Sequence, residues 1–151
     1  DVAPSRGLGD VYKRQDEMLG QLDDIEFDAV LGLEARGFLF GAPIAYARKK
    51  SFVPVRKKGK LPRATVSAEY DLEYGKAEIE IHTDSLKKGD KVVIIDDLIA
   101  TGGTLEAAAK LVEQLGGEVV RIVCLIELTD LKGREKLKNY DVRSIVTYEG
   151  E

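Results

Sequence analysis

The chain has 151 residues, 44% hydrophobic and 33% charged, with a net charge of −4, as expected for one globular domain with a sizeable core. The acidic balance speaks against a global basic field for nucleic acid, and no apolar run approaches the roughly 18 residues of a membrane-spanning helix. A signal-peptide core is not expected, and the single cysteine, Cys124, excludes an intrachain disulfide framework and fits a reducing, cytoplasmic setting.

Residues 1–15, DVAPSRGLGDVYKRQ, mix Gly, Pro, Ser and basic residues without a sustained period. The run Asp10–Gln15 reads as one translation of a transposon end used in sequencing libraries. This segment is therefore expected to be non-native, or else a disordered terminus, with the domain proper covering 16–151. Met18, Leu19, Leu22 and Ile25 then fit one helix face. Asp28–Gly32 is an apolar strand, and Glu34–Gly37 a tight loop. Phe38–Lys50 predicts a helix with Pro43 early and a basic end, where cations suit the terminal carbonyls. Phe52–Val55 predicts a strand that Pro54 would place at an edge or a strand end. Residues 56–70, with Gly59, Pro62 and many charges, read as a long loop. Ala77, Ile79 and Ile81 alternate with Glu78, Glu80 and His82, the pattern of a strand with one wet face. Val92–Ile95 is a β-branched run suited to a buried parallel strand. Thr104–Leu115 predicts a helix closed by Gly116 and Gly117, and Val119–Ile126 a second buried strand. A helical turn near Leu137 and a strand over Ser144–Tyr148 complete the chain. Strands alternating with helices predict an α/β fold with a mostly parallel central sheet flanked by helices.

The segment richest in chemistry is VVIIDDLIATGGT, Val92–Thr104. A buried strand runs into two carboxylates, Asp96 and Asp97, and a short loop then opens a helix. In open α/β sheets ligands sit beyond the carboxyl ends of the strands. Consecutive backbone N–H groups at a helix start form a phosphate cradle. Gly102 and Gly103 allow close backbone approach, and Thr101 and Thr104 add hydroxyls. Carboxylates accept from sugar hydroxyls while N–H groups donate to phosphate, so the pattern points to a sugar phosphate. Both the lysine of a GxxxxGK[ST] loop and the GxGxxG dinucleotide pattern are missing.

This segment resembles the phosphoribosyl pyrophosphate signature of type I phosphoribosyltransferases. GLEARGFLFGAP (32–43), VPVRKKGKLP (53–62), YDLEYGKAEIEIH (70–82) and LIELTDLKGREKL (125–137) are similar to the adenine-specific branch of that family. The resemblance implies a type I phosphoribosyltransferase fold whose N-terminal hood is truncated here. It implies that Asp96 and Asp97 bind ribose hydroxyls and that Ala100, Thr101, Gly102, Gly103 and Thr104 hold the 5′-phosphate. Ala35, Arg36 and Gly37 would form the pyrophosphate loop, with a cis peptide between Glu34 and Ala35. Arg56, Lys57 and Lys60 match the basic substrate loop, within a run of eight basic residues and no acid over 48–63. Taken alone, that run also reads as a solvated face or a nucleic-acid patch, although interleaved aromatics are missing. Glu73 and Tyr74 fall in the segment resembling the mobile catalytic loop, Glu73 as the carboxylate that manages the purine proton. Leu128 resembles an apolar residue lining the adenine site, and reads almost as well as an ordinary core leucine. His82 is expected to be structural or exposed, and Cys124 a small core residue.

The implied reaction converts adenine and phosphoribosyl pyrophosphate into AMP and pyrophosphate. Mg²⁺ would be held mainly through substrate and water. A homodimer is implied, without nucleic-acid or membrane partners. Three other readings remain open at this stage: a phosphoribosyltransferase for another base, a non-catalytic regulator that senses phosphoribosyl pyrophosphate, and an inactive fragment.

Overall fold

The computed structural model describes residues 8–150, with side chains from residue 12 onward. Seven strands form one sheet in the order β3-β4-β2-β1-β5-β6-β7. They are β1 (Ala29–Leu33), β2 (Ser51–Lys57), β3 (Thr65–Leu72), β4 (Gly75–His82), β5 (Lys91–Ile99), β6 (Glu118–Leu128) and β7 (Val142–Tyr148). The run β2-β1-β5-β6-β7 is parallel, while β3 and β4 form an antiparallel hairpin attached to β2. Helices α1 (Leu8–Gly20) and α2 (Arg36–Arg48) cover one face, and α3 (Gly103–Gln114) covers the other.

The period-two geometry of a strand divides the apolar residues between these layers. On β5, Val92 and Ile94 pack with Leu105, Ala108, Leu111 and Val112 of α3. Val93 and Ile95 instead join Met18, Leu22, Ile44 and Ala45 on the α1–α2 side. All four β5 residues are fully buried, as expected for a parallel strand covered on both faces.

Several elements differ from the sequence expectation. Helix α1 begins at Leu8, so residues 8–15 are helical, against the disordered one of the two readings of 1–15, while their non-native origin is a separate matter; residues 1–7 lie outside the described residues. Gln15 donates to the Phe40 carbonyl at 3.1 Å, which ties this helix to α2. The long loop expected over 56–70 contains most of β3, whose half-exposed surface gives it no apolar periodicity. Glu80, expected on a wet face, is 3% exposed. The loop after β2 folds over it, and its carboxylate accepts from Gly59 N, Leu61 N and Thr65 Oγ1 at 3.1–3.2 Å. His82 is half-buried. Pro54 lies in the part of β2 that pairs only with β1, because β4 joins β2 at Arg56 and Lys57 alone. The Val55 carbonyl accepts from Glu34 N on the β1 side, so by alternation the Pro54 nitrogen faces away from β1 and its missing N–H removes no ladder bond.

Arg121 of β6 is a buried cation that joins three segments. It donates to Gln21 O and Asp24 Oδ1 at 2.7 and 2.6 Å, and to Asp141 Oδ2 at 2.8 Å. The α1–β1 connection, β6 and the entry to β7 thus share one guanidinium.

Helix α2 lies close to β1 because Gly32 and Gly41 face each other. A Cβ on Gly32 would meet the Phe52 ring at 2.7 Å and Gly37 O at 3.2 Å. Gly32→Val should overpack this seam and cost about 2 kcal/mol, read as a lower urea midpoint at unchanged m-value. An unchanged midpoint would show that α2 shifts without penalty.

Candidate active site

Because β1, β2, β5 and β6 are parallel, their carboxyl ends open on one edge of the sheet. The loop Glu34–Ala35 follows β1, Arg56 and Lys57 end β2, and Leu128 ends β6. The segment from Asp96 to Thr104 leaves β5 on the same edge. The hairpin tip also belongs there: β4 runs antiparallel to β2 with Lys57 opposite Ile79. The four further residues down to Gly75 carry Glu73 and Tyr74 roughly 13 Å past that edge.

Asp96, Asp97, Leu98 and the run Ala100–Leu105 line a pocket of about 200 Å³. All seven residues expected from the Asp-Asp and Ala-Thr-Gly-Gly-Thr elements are therefore brought together. Gly102, with φ +88°, turns the chain into α3, whose start has no side-chain cap. The first N–H groups of α3 thus face the pocket region without a side-chain acceptor, the arrangement that favours an anion.

Asp97 N donates to Asp96 Oδ1 at 2.8 Å. Arg36, the first residue of α2, places Nε 3.0 Å from Asp97 Oδ2. Burial pushes the Asp96 carboxyl up to about 8; the bond from Asp97 N opposes the rise, and the Asp97 carboxylate adds to it. Gly37 leaves room for this group, since a Cβ there would lie 3.1 Å from Asp96 Oδ1. Cys124, paired in register with Asp96, is fully buried, and burial pushes its thiol well up. It is the core residue expected.

The peptide bond between Glu34 and Ala35 is cis. Glu34 collects the basic loop: it accepts from Lys60 Nζ at 2.9 Å, Lys57 N at 3.1 Å and Arg56 Nε at 3.3 Å. Three donors hold its carboxyl below the usual range against the opposing effect of burial. Arg56 and Lys57 also line a smaller cleft with Tyr70 and Thr104. Two expected site residues stand out at the hairpin tip: Tyr74 is 93% exposed, and Glu73 beside it is exposed. Leu128 is half-buried at the end of β6 and does not line the pocket.

Sequence reasoning missed Glu34 and Glu80 as organisers of the basic loop. The one signal for Glu80 was a carboxylate between two isoleucines in a strand; Glu34 carried no signal beyond its place before Ala35. Among the described residues no cluster of three or more His, Cys, Asp or Glu side chains could hold a metal.

A mainly parallel sheet with helices on both faces and a polar pocket beyond its strand ends defines an α/β ligand-binding protein. A profile of the phosphoribosyl transferase domain matches residues 11–149. The chain is 63% identical over 136 residues to an adenine phosphoribosyltransferase of Lachnoclostridium phytofermentans, covering 90% of this chain and 78% of that protein. The crystal structure of adenine phosphoribosyltransferase from Thermoanaerobacter pseudethanolicus matches with a TM-score of 0.91 at 51% identity, over 93% of this chain and 81% of that one. The Saccharomyces cerevisiae enzyme, complexed with an imino-altritol bisphosphate and adenine, matches with a TM-score of 0.86 at 42% identity, over 93% and 81% of the two chains. The chain belongs to the phosphoribosyltransferase family and, within it, to the adenine phosphoribosyltransferases.

The Asp96 environment has a consequence for stability. Unfolded, the carboxyl ionises near the usual value of about 4, so folding takes up a proton between there and about 8. The contribution is complete at the acid end and is lost as pH rises through about 8. Asp96→Asn stays neutral, so its melting temperature should decline less than that of the parent between about pH 6 and 9. Parallel declines in the two proteins would show that Asp96 ionises in the ordinary range.

Proposed function

We propose that this chain joins adenine to the phosphoribosyl group of phosphoribosyl pyrophosphate, releasing AMP and pyrophosphate. The observation that carries the site assignment is the gathering of Asp96, Asp97 and residues 100–104 in one pocket, below a projecting hairpin and beside Arg36.

In this reading the N–H groups of 101–104 and the hydroxyls of Thr101 and Thr104 hold the 5′-phosphate, with Ala100 turning the loop toward it. Asp96 and Asp97 receive the ribose hydroxyls. Arg36, with Ala35, and the basic set Arg56, Lys57 and Lys60 face the pyrophosphate. Their charge stabilises the negative charge that grows on the leaving group. The purine nitrogen bonds to the anomeric carbon while the carbon–oxygen bond to pyrophosphate breaks, its electron pair leaving with pyrophosphate. The purine proton passes to Glu73, which the hairpin brings over the base when it closes, with Tyr74 helping to exclude water. Leu128 offers an apolar edge to the adenine ring.

The pocket fits Mg²⁺ held mainly through substrate and water: its side chains offer oxygen only, which suits a cation that keeps water and phosphate ligands. Bound there mainly through substrate oxygens and water, it would neutralise pyrophosphate charge. A homodimer is supported by the outward face of α2, where Leu39 and Tyr46 are exposed at helical spacing around Pro43. No described helix is long and apolar enough to cross a membrane, and the buried free thiol supports a cytoplasmic setting.

The test is AMP formation from adenine, phosphoribosyl pyrophosphate and Mg²⁺, with guanine and hypoxanthine alongside. Adenine should be preferred, and chelation of Mg²⁺ should stop turnover. Glu73→Gln should lower kcat by about 100-fold or more, with little change in the KM for phosphoribosyl pyrophosphate. A folded protein that binds the sugar without turnover would favour a sensor instead.

A further inference from the structure

Two glycines at the phosphate cradle lack space for a side chain, and each is blocked by the other's segment. A Cβ on Gly102 would lie 2.6 Å from Gly133 O. On Gly133 it would lie 2.6 Å from Ala100 O, 2.8 Å from Ile99 Cγ2 and 3.2 Å from Gly102 N. The short 3₁₀ turn Gly133–Glu135 therefore forms the wall against which residues 100–102 are pressed.

What holds that wall is a buried carboxylate. Glu127 of β6 is 6% exposed. It accepts from Arg134 Nε and from Ser144 Oγ, both at 2.8 Å. Arg134 also donates to Val142 O at 2.8 Å. The side chain next to Gly133 is thus anchored to β6 and β7 at once. The pyrophosphate side is organised separately: Arg56 and Lys60 hang on Glu34, and Arg36 on Asp97. None of these groups bonds to Glu127 or Arg134.

We infer that Arg134 and Glu127 are positioning residues for the 5′-phosphate cradle. They fix Gly133, and Gly133 fixes the backbone from Ala100 to Gly102. Neither side chain is required to touch substrate. The inference rests on the reading of residues 100–104 as the 5′-phosphate site.

Two independent supports for two ends of one substrate make a selective test possible. Dissociation constants for ribose 5-phosphate and for magnesium pyrophosphate would be measured by calorimetry on the full chain, together with kcat and the KM for phosphoribosyl pyrophosphate. The variants are Arg134→Met, Arg134→Lys and Gly133→Ala. Arg134→Met should weaken ribose 5-phosphate about tenfold, since small misplacements of a positioned group carry large penalties. Its pyrophosphate affinity should stay within about twofold, and the KM should rise more than kcat falls. Arg134→Lys should restore part of the loss, and Gly133→Ala should reproduce it without touching the ion pair. Should Arg134→Met not fold, the other two variants decide. Equal weakening of both ligands, or of neither, in a chain whose parent form binds both would overturn the inference and leave Glu127 and Arg134 as ordinary fold contacts. A parent chain that binds pyrophosphate but not ribose 5-phosphate would instead overturn the cradle reading, and the inference with it.

Discussion

Burial of β5 on both faces is the constraint from which the rest of the site follows. Val92–Ile95 are sealed between α3 and the α1–α2 layer, so the strand can change polarity only at its carboxyl end. Asp96 stands at that change, still surrounded enough for its proton to be held to about 8. Within six residues the chain then turns through Gly102 into α3. The acidic pair and the open helix start are neighbours because a short connection joins a strand to the helix that covers it. An apolar-to-polar boundary of this kind provides low dielectric behind the ligand and donors in front of it.

The local charge pattern runs against that of the whole chain. A protein of net charge −4 keeps its basic loop at the site by embedding acids behind it. Glu34 gathers Arg56 and Lys60, and Glu80 takes backbone N–H groups from either side of Lys60. These two carboxylates, Glu80 buried and Glu34 partly so, shape where the cations stand and leave the outer surface of the loop positive. The arrangement resembles an outer layer of support around a polar site, where the groups behind those facing the ligand set the geometry.

The parallel strands, α2, α3 and the Asp96–Thr104 segment were legible in the sequence because burial imposes period and composition there, whereas α1 ends at Gly20, before Leu22 and Ile25 that were expected on its face. Val92–Ile95 could only be a covered strand, and the two glycines after Thr101 mark a close turn. β3 was not legible, since its two faces are both half-exposed and its residues alternate weakly. Glu80 was misread for a related reason: alternation gives the face a residue points to, but not whether a later loop will cover that face. Helix α1 before Asp16 carried no visible period, yet Gln15 reaches the α2 backbone. The partnership of Gly102 with Gly133 spans 31 positions and depends on two backbones meeting, a relation that no local pattern encodes.

Pro54 carries a further consequence. From Ser51 to Val55, β2 has a ladder partner on one side only; its other side borders a cleft walled by Arg63, His82, Asp84 and Ser85, where its unpaired donors could meet an extended chain. Val55 turns its carbonyl toward β1, where Glu34 N donates to it. By alternation, the nitrogen of residue 54 faces that cleft. A proline at that position removes a donor where a foreign strand would dock, and its ring obstructs the approach. The sheet is thereby protected against growing by addition of another molecule's strand at the one place where it changes from parallel to antiparallel pairing.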